Sequence, residues 1–419
     1  MIAGDDSRNT ANAEAFGRMC GADPVLEDIV PAIRVVPGMQ RSLILTSGPA
    51  LPWREYAGGQ RKAIIGAAIF EGLAASEGDA ETRLARGEIG VDGCHAHGCV
   101  GSLAGVYSAS MPVYVVRNRA LGNVGYCNFY EGTNPRRLNY GVYDEGVRDR
   151  LLHIQNVVAP TVAEAVRRLG GIPLKPIMKR ALHMSDELHS RNTAASLLFA
   201  RELVPAFLRM AAEGMEESVS KTVQALTEDH YSFLRLSMAA AKAAADAAHG
   251  IERASIVTAM GFSCREFAIR VSGLGDRWFT GPHASVEAKL FPGHSADEIT
   301  WMGGESPITE TVGLGGFAQA AAFPLQSYQG GSPEDMVARN LELYRIVFGD
   351  NTDFQIPFLR YRGTPTGIDI FKVVATTLRP VMDIGVAGRD GGQIGAGIVR
   401  APLECFEKAV AAYRERYRN

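Results

Sequence analysis

The chain has 419 residues, of which 46% are hydrophobic in type and 21% are charged, so it can bury a large core and is unlike a disordered protein. Its net charge of −3 gives no basic surface for nucleic acid, and no stretch is apolar for long enough to span a membrane. Six cysteines without a CxxC pair, together with an N-terminus that has early acids and no apolar segment, predict a cytoplasmic protein with reduced thiols.

Residues 1–150 predict an α/β domain. Short strands are expected at Leu43–Leu45, Val113–Arg117 and Tyr126–Tyr130, because these segments are apolar and mostly β-branched or aromatic. The segment Arg61–Ser76 has apolar and small residues at helical spacing, which predicts a tightly packed helix.

Residues 151–250 change in character and predict a helical domain, rich in Ala, Leu, Met, Glu and Arg and poor in glycine. Three helices are expected, at Ala194–Ala212, Met215–Thr227 and Tyr231–His249. The third contains the run MAAAKAAADAAH and stops at Gly250, a typical C-terminal signal.

Residues 251–419 return to an α/β pattern. The segments expected to form strands are Ser255–Ala259, Phe267–Val271 and Ile368–Ala375, and those expected to form helices are Phe317–Ala322, Pro333–Phe348 and Pro402–Tyr417. The fold class predicted is therefore α+β (mixed α/β), with two α/β parts and a small all-helical domain between them.

The segment Gly93–Cys99 holds two histidines, His95 and His97, and two cysteines within six residues. Crowded ligands of this kind could bind zinc, although a structural zinc site usually draws its ligands from two separate pairs. Beside glycines they could also place His95 in an active-site loop. A third interpretation is that they are packed structural residues.

A dense polar segment, Ala181–Asn192, lies at the head of a helical region. As a helix it would place His183, Glu187 and Arg191 on one face, with Asp186 and His189 as a neighbouring pair. A carboxylate beside a histidine can fix its tautomer, as general-base chemistry requires. The alternative is a solvated helix start with a capping aspartate.

Glycine-rich segments at Gly303–Gly316 and Gly363–Asp369 could present N–H groups and hydroxyls to an anion. Neither is a phosphate-binding Walker A loop, because no GK[ST] follows. Cys264 has Arg265 beside it, which could lower its thiol pKa, but the expected state of this cysteine is buried and inert.

Taken together, these segments resemble the AllG family along nearly the whole chain. The matching segments are Asn9–Ala13, Ile64–Leu73, Cys94–Pro112, Ala181–Ala194, Ile269–Thr280, Ile308–Phe317, Gly363–Asp369 and Gly392–Gly397. The chain departs from the family pattern at Ser185 and Ser190, at Glu305, and in the stretch that follows Tyr130.

The resemblance implies a subunit of oxamate carbamoyltransferase that works with an FdrA-like subunit and a third subunit. That enzyme cleaves oxalurate with phosphate to oxamate and carbamoyl phosphate, in the anaerobic breakdown of allantoin. It also implies a mixed α/β fold with a small helical domain. The departures leave open a related ureido acid as substrate, because substitutions inside polar motifs change what a pocket recognises.

For this chemistry, residue type and clustering predict His189, His95, Asp186 and Glu187 as catalytic residues. Arg191, with Arg265 second, is the predicted anion clamp, because guanidinium groups match carboxylate and phosphate. The other predicted substrate-binding residues are Asn192, Thr309, Gly315, Gly316, Thr366 and Gly367.

No cofactor and no bound metal are expected, and a homodimer is assumed from its general frequency. Two alternative functions stay open. One is a non-catalytic scaffold that completes the partner's active site, and the other is a metal-dependent amidohydrolase using His95, His97 and His189.

Overall fold

The computed structural model describes residues 3–417, and the side chains of residues 6–417. Helices take 47% and strands 22% of the chain, and the strands form several small sheets, which confirms the predicted α+β class. None of the helices within residues 3–417 combines the length and the apolar composition of a membrane span.

The N-terminal part is built on a five-stranded sheet. Its elements are α1 (Ala3–Cys20), β1 (Pro24–Pro31), β2 (Leu43–Thr46), α2 (Gly58–Phe70), α3 (Glu77–Ala85), β3 (Gly90–Gly93), β4 (Cys99–Val100), β5 (Pro112–Asn118) and β6 (Val124–Asn128). All three predicted strands are present, as β2, β5 and β6. The predicted helix over residues 61–76 ends earlier, at Phe70, and α3 was not predicted.

The middle part is helical, as predicted, with one two-residue strand. Its elements are α4 (Glu145–His153), α5 (Ala159–Leu169), β7 (Ile172–Pro173), α6 (Leu174–His183), α7 (Thr193–Met210), α8 (Glu216–Glu228) and α9 (Leu234–Ala247). The three predicted helices correspond to α7, α8 and α9. The five-stranded sheet has the order β4-β6-β5-β1-β7, so β7 completes a sheet whose other strands come from the N-terminal part.

The C-terminal part carries the remaining sheets. Its elements are β8 (Val257–Phe262), β9 (Phe267–Val271), β10 (Trp278–Gly281), β11 (Val286–Leu290), β12 (Ile299–Thr300), α10 (Ile308–Thr311), α11 (Gln326–Gln329), α12 (Pro333–Leu343), β13 (Val347–Ile356), β14 (Arg362–Ile368), α13 (Ile370–Thr376), β15 (Val381–Gly388), β16 (Gln393–Arg400) and α14 (Leu403–Arg416). They form the sheets β10-β9-β8, β11-β16-β15-β12 and β13-β14, while β2 pairs with β3 in the N-terminal part.

Two C-terminal predictions are wrong. The segment 368–375 is mostly the helix α13, because the Asp369 carboxylate accepts the Phe371 N–H at its start, and Ile370 and Val373 are buried one turn apart. The predicted helix at 317–322 is replaced by two short 3₁₀ turns, Gly315–Phe317 and Gln319–Ala321.

Helix α9 is the centre of the fold, because all of its residues except Asp246 are buried. It packs against β5 and β6 of the five-stranded sheet on one side and against α1, α6 and α10 on others. Its alanines permit close approach: a Cβ on Gly125 of β6 would lie 2.4 Å from the Ala239 carbonyl oxygen. The largest hydrophobic core therefore joins all three parts of the chain, and the division at residues 150 and 250 stays a prediction.

We predict that Gly125→Ala lowers the free energy of unfolding by about 1–3 kcal/mol, because the added methyl group must push β6 away from α9. Denaturant titration measures this loss. The matched control is Gly17→Ala in α1, where an added Cβ meets nothing within 4 Å, and where helix propensity favours alanine by roughly 0.5–1 kcal/mol. Equal stability changes in the two variants would contradict the close packing of β6 on α9.

Candidate functional site

One cavity of about 80 Å³ lies where the three parts of the chain meet. Its walls come from the segment after β6, the loop before α7, the start of α9, the segment after β12, and strands β15 and β16. The polar side chains that line it are Ser102, Tyr130, Glu131, Arg137, Asn139, Tyr140, His189, Ser190, Tyr231, Arg235, Thr300, Ser306, Tyr328 and Gln393.

Arg137 is buried and lines this cavity, and most of its N–H donors form hydrogen bonds within the protein. Its Nη1 donates to the Tyr130 hydroxyl and to the Gly132 carbonyl oxygen, and its Nη2 donates to Gln393 Oε1 at 3.0 Å. The Nε atom is buried and has no hydrogen-bond partner. The Gln393 amide also donates to the Tyr328 hydroxyl at 2.6 Å, so Arg137 is held rigidly among aromatic hydroxyls.

Arg235 is the second cavity arginine and the less satisfied one. It lies in the first turn of α9 and is only 3% exposed, yet its Nε and Nη1 atoms have no hydrogen-bond partner. Its guanidinium lies over the Tyr130 ring, 5.7 Å from the ring centre.

The carboxylates near these arginines are used elsewhere. The Glu131 carboxylate accepts the backbone N–H groups of Leu138 and Asn139. Asp229 accepts the Tyr231 N–H, and burial raises its pKa to about 6 although Arg137 and Arg235 act to lower it. Within residues 6–417 neither cavity arginine has a carboxylate partner, so two buried positive charges face a small space.

His189 lines the same cavity and is held by a carboxylate below it. Its Nδ1 lies 2.7 Å from Glu310 Oε1, and the histidine is 4% exposed. Burial alone would lower the pKa of His189, but Glu310, and more weakly Asp383, raise it above its ordinary value. Since the carboxylate accepts the Nδ1–H, Nε2 is the ring nitrogen left for a ligand.

Glu310 is itself fixed by several donors. Its Oε1 also accepts the backbone N–H groups of Gly316 and Asp383, both at 3.0 Å, and its Oε2 accepts the Thr309 hydroxyl at 2.8 Å. Together with His189, these donors fix the position of the buried Glu310 carboxylate. It therefore fixes the tautomer and the orientation of His189.

The segment that carries His189 is a loop, and the predicted helical face of His183, Glu187 and Arg191 is wrong. Helix α6 ends at His183, and residues 184–192 have no helical run. The Glu187 carboxylate accepts the backbone N–H groups of residues 189, 190 and 191. In a helix these N–H groups would donate to backbone carbonyl oxygens instead. Ser185 and Leu188 have positive φ angles of 68° and 70°.

Asp186 and Glu187 are therefore structural supports of the His189 loop in this geometry. Asp186 accepts the Ala195 N–H in the first turn of α7, as the alternative of a capping aspartate predicts, and Glu310 takes the place beside His189 that was predicted for Asp186. Burial raises the pKa of Asp186 to about 6 and that of Glu187 well above its ordinary value. Asn192 donates to the His189 carbonyl oxygen at 2.7 Å.

The glycine-rich segment lies below His189, but its N–H groups are occupied. Gly315 donates to the Glu187 carbonyl oxygen at 2.8 Å, and Gly316 donates to Glu310. Thr309 donates to Ser306 as well as to Glu310. The structure thus brings Glu187, Thr309, Gly315 and Gly316 close to His189, but as its scaffold.

Four other predicted binding residues lie outside the cavity. Arg191 donates to the Ser185 carbonyl oxygen and lies 3.5 Å from Asp186, while Arg265 is at the surface, 3.8 Å from Glu55. The Thr366 hydroxyl donates to backbone carbonyl oxygens, and Gly367 is in β14 against Phe16.

His95 and His97 also lie away from His189. The His95 Nδ1 is 3.0 Å from Lys242 Nζ, and burial together with Lys242 lowers the pKa of His95 far below its ordinary value. His97 contacts the Pro37 carbonyl oxygen and Asp92. In the described part of the chain, no three His, Cys, Asp or Glu side chains come together as a metal site.

Sequence reasoning did not select Arg137, Arg235 or Glu310. A signal for Arg235 was present, because Arg235, Lys242 and Asp246 are spaced i, i+7, i+11 on a helix whose other residues are apolar or small. Such a helix has no polar face to place in water, so its charges are buried and need partners. Glu310 gave no signal, since its role depends on a contact 121 residues along the chain.

Three comparisons relate the chain to known proteins. The family model described as oxamate carbamoyltransferase subunit AllG matches residues 89–306. The oxamate carbamoyltransferase subunit AllG of Escherichia coli K12 is 38% identical over 97% of this chain and 97% of its own length. The uncharacterized protein YahG of the same organism is 39% identical over 98% of this chain and 87% of its own length.

A solved structure shares the fold. It is the crystal structure of a conserved protein of unknown function from Enterococcus faecalis V583, with a TM-score of 0.96 and 35% identity, covering 99% of each chain.

We predict that Glu310→Gln lowers the pKa of His189, because burial is then opposed only by the weaker effect of Asp383. Histidine-selective NMR titration measures this shift. In the wild-type chain the ion pair between Glu310 and protonated His189 stabilises the fold at low pH, and this stabilisation is lost as pH rises through the raised pKa of His189. The variant lacks this pH dependence of the free energy of unfolding. Asp186→Asn is the control, and an equal shift in that variant would contradict the assignment of Glu310.

Proposed function

Because the chain belongs to the AllG family, we propose that it is a subunit of a carbamoyltransferase of the oxamate type. In this proposal the cavity binds oxalurate or a related ureido acid together with phosphate, and the products are oxamate, or the matching amide, and carbamoyl phosphate. The proposal includes a cytoplasmic location and assembly with an FdrA-like subunit and a third subunit. The Escherichia coli relative is described as an enzyme subunit, which supports an assembly.

The observation that carries the proposal is the pair of buried cavity arginines without carboxylate partners. An unpaired buried charge costs several kcal/mol, so a fold keeps it where a ligand supplies the opposite charge. Arg137 and Arg235 suit a small anionic ligand, and the reaction brings two anions together.

The proposed reaction is a transfer of the carbamoyl group from nitrogen to oxygen. A phosphate oxygen attacks the carbamoyl carbon, a C–O bond forms, and the C–N bond to the departing amide breaks. The proton of monohydrogen phosphate ends on the amide nitrogen, so atoms and charge balance without a cofactor. The chemistry therefore needs one proton carrier and donors for the developing oxyanion.

His189 is the proposed proton carrier. With Nδ1 engaged by Glu310, its Nε2 is the ring nitrogen left to accept the phosphate proton and pass it to the amide nitrogen. The raised pKa keeps the ring able to hold that proton near neutral pH. Arg137 and Arg235 take the anion-binding role that sequence reasoning gave to Arg191 and Arg265. Tyr231 and Tyr328 add hydroxyl groups to the wall.

A coupled assay for carbamoyl phosphate tests the reaction. The chain is assayed alone and with its FdrA-like and third subunits, against oxalurate and a panel of ureido acids, with and without phosphate. We expect phosphate-dependent product from the assembled subunits, and a loss of about 100-fold or more in kcat for His189→Ala, the usual scale for a proton carrier.

His97→Ala is the matched control and is expected to retain activity, because His97 is outside the cavity. Full turnover by the His189→Ala complex would contradict the catalytic role and favour a scaffold that completes the partner's site. No product from any assembled combination would contradict carbamoyl transfer.

We predict that Arg235→Met keeps or raises the stability of the ligand-free chain, because it removes a buried charge without a partner. The same change should abolish the rise in unfolding temperature that phosphate or oxamate gives to the wild-type chain. Thermal unfolding with and without each anion measures both effects. Arg265→Met is the exposed control, and a loss of anion stabilisation there instead would contradict the proposed site.

A further inference from the structure

An exposed aromatic surface stands beside the outer end of the His189 loop. The turn between β13 and β14 presents Phe358 and Tyr361, each 57% exposed, and Met184 at the end of α6 is 48% exposed. The Tyr361 ring packs edge-on against His183, with 5.4 Å between ring centres, and Phe358 packs on Phe323 at 4.3 Å. We call the group Met184, Phe323, Phe358 and Tyr361, with His183, the aromatic tip.

The backbone of this turn is strained at the residues that are most exposed. Arg360 and Tyr361 are consecutive non-glycine residues with φ angles of 55° and 59°. A left-handed conformation costs roughly 1–2 kcal/mol for such residues, and glycine would avoid the cost. The fold therefore holds a large exposed aromatic side chain at the expense of stability, which is typical of binding surfaces.

The charges around the aromatic tip are positive. Arg180 lies one helical turn before His183 on α6, and Arg360 is in the turn itself; both are exposed. Among the described residues neither forms an ion pair. The nearby Asp353 is held by both Lys175 and Lys179, and Asp350 is held by Arg362. Free cations flank an apolar surface on a chain whose net charge is −3.

From these contacts and charges we infer that the aromatic tip is the docking surface for an acidic, apolar surface of a different subunit. The inference rests on the proposed function, since it takes the chain as one subunit of a mixed assembly. A second copy of this chain fits less well, because a two-fold contact through this surface would bring two positively charged surfaces together. Exposed aromatics flanked by arginine have the composition of interface hot spots.

The position of the aromatic tip links it to the cavity. Met184 is the first residue of the loop 184–192, and the Arg191 side chain ties the far end of that loop back to the Ser185 carbonyl oxygen. A subunit seated on Met184 therefore covers the outer end of the segment that carries His189. The surface is next to the proposed site but shares none of its lining residues.

The test measures affinity between the full-length chain and its FdrA-like subunit, by sedimentation or biolayer interferometry. Phe358→Glu is expected to weaken binding by about thirtyfold or more, the scale of a hot-spot residue. The double variant Arg180→Glu with Arg360→Glu should weaken it about tenfold or more at low salt and remove most of the salt dependence. Leu208→Glu is the matched control, because Leu208 is a 68% exposed apolar residue on α7.

Tyr361→Gly separates binding from folding. This change relieves the positive φ angle, so we expect a higher unfolding temperature together with weaker binding. Wild-type affinity in the Phe358 and arginine variants, an equal loss in Leu208→Glu, or no binding by the wild-type chain would each overturn the inference. A wild-type complex that forms through the aromatic tip but gives no phosphorolysis would contradict the proposed function and leave the docking surface in place.

Discussion

Helix α9 has no face toward solvent, and the arrangement of the other layers follows from this constraint. Its alanines let β6 approach until only Gly125 fits at the contact. Its charged residues then have to be satisfied inside the protein. Lys242 is satisfied by Asp246 at 2.7 Å and by His95, whereas Arg235 has no protein acceptor for two of its nitrogen atoms. The C-terminal end of α9 thus carries an internal ion pair, and its N-terminal end faces the cavity.

Buried glutamates hold the loops that surround this open end. The Glu131 carboxylate accepts backbone N–H groups that follow the turn at Gly132, and the Glu187 carboxylate accepts those of the His189 loop. The Glu310 carboxylate accepts the N–H groups of Gly316 and Asp383. Glu305 joins two distant segments, since its carboxylate accepts the Gly48 and Gly101 N–H groups, each at 2.9 Å. Each carboxylate replaces hydrogen bonds that a helix or a sheet would otherwise provide. Irregular backbone can therefore converge on one site while these backbone N–H groups stay hydrogen-bonded.

Sequence patterns predicted what depends on local periodicity and composition. The strands β5 and β6, helix α9 and the α+β class all follow from such patterns, although α9 ends at Ala247, before the predicted stop at Gly250. The loop 184–192 could not be predicted this way, because the Glu187 carboxylate overrides a strong helical pattern by bonding three backbone N–H groups. Helix α13 was mistaken for a strand because its β-branched residues suit both structures until Asp369 is seen to cap it.

The candidate site shows the same limit. His189 was selected because histidine among carboxylates and arginines is dense in one segment, and it does line the cavity. Its carboxylate partner comes from a segment far along the chain, and Arg137 lies in a polar stretch that drew attention only as a departure from the family pattern. Density of polar residues therefore identified the loop but also selected its supports, such as Glu187 and Arg191.

The burial of α9 has a consequence for how a ligand can reach the cavity. Amide groups on a helix without a solvent face exchange with water only when the surrounding layers separate, so α9 belongs to the slowest-opening part of the molecule. The position of Arg235 in the site is consequently fixed. Any motion that admits a substrate has to come from the opposite walls, the irregular segments carrying Tyr130 and His189, whose backbone N–H groups are bonded by the carboxylates of Glu131 and Glu187.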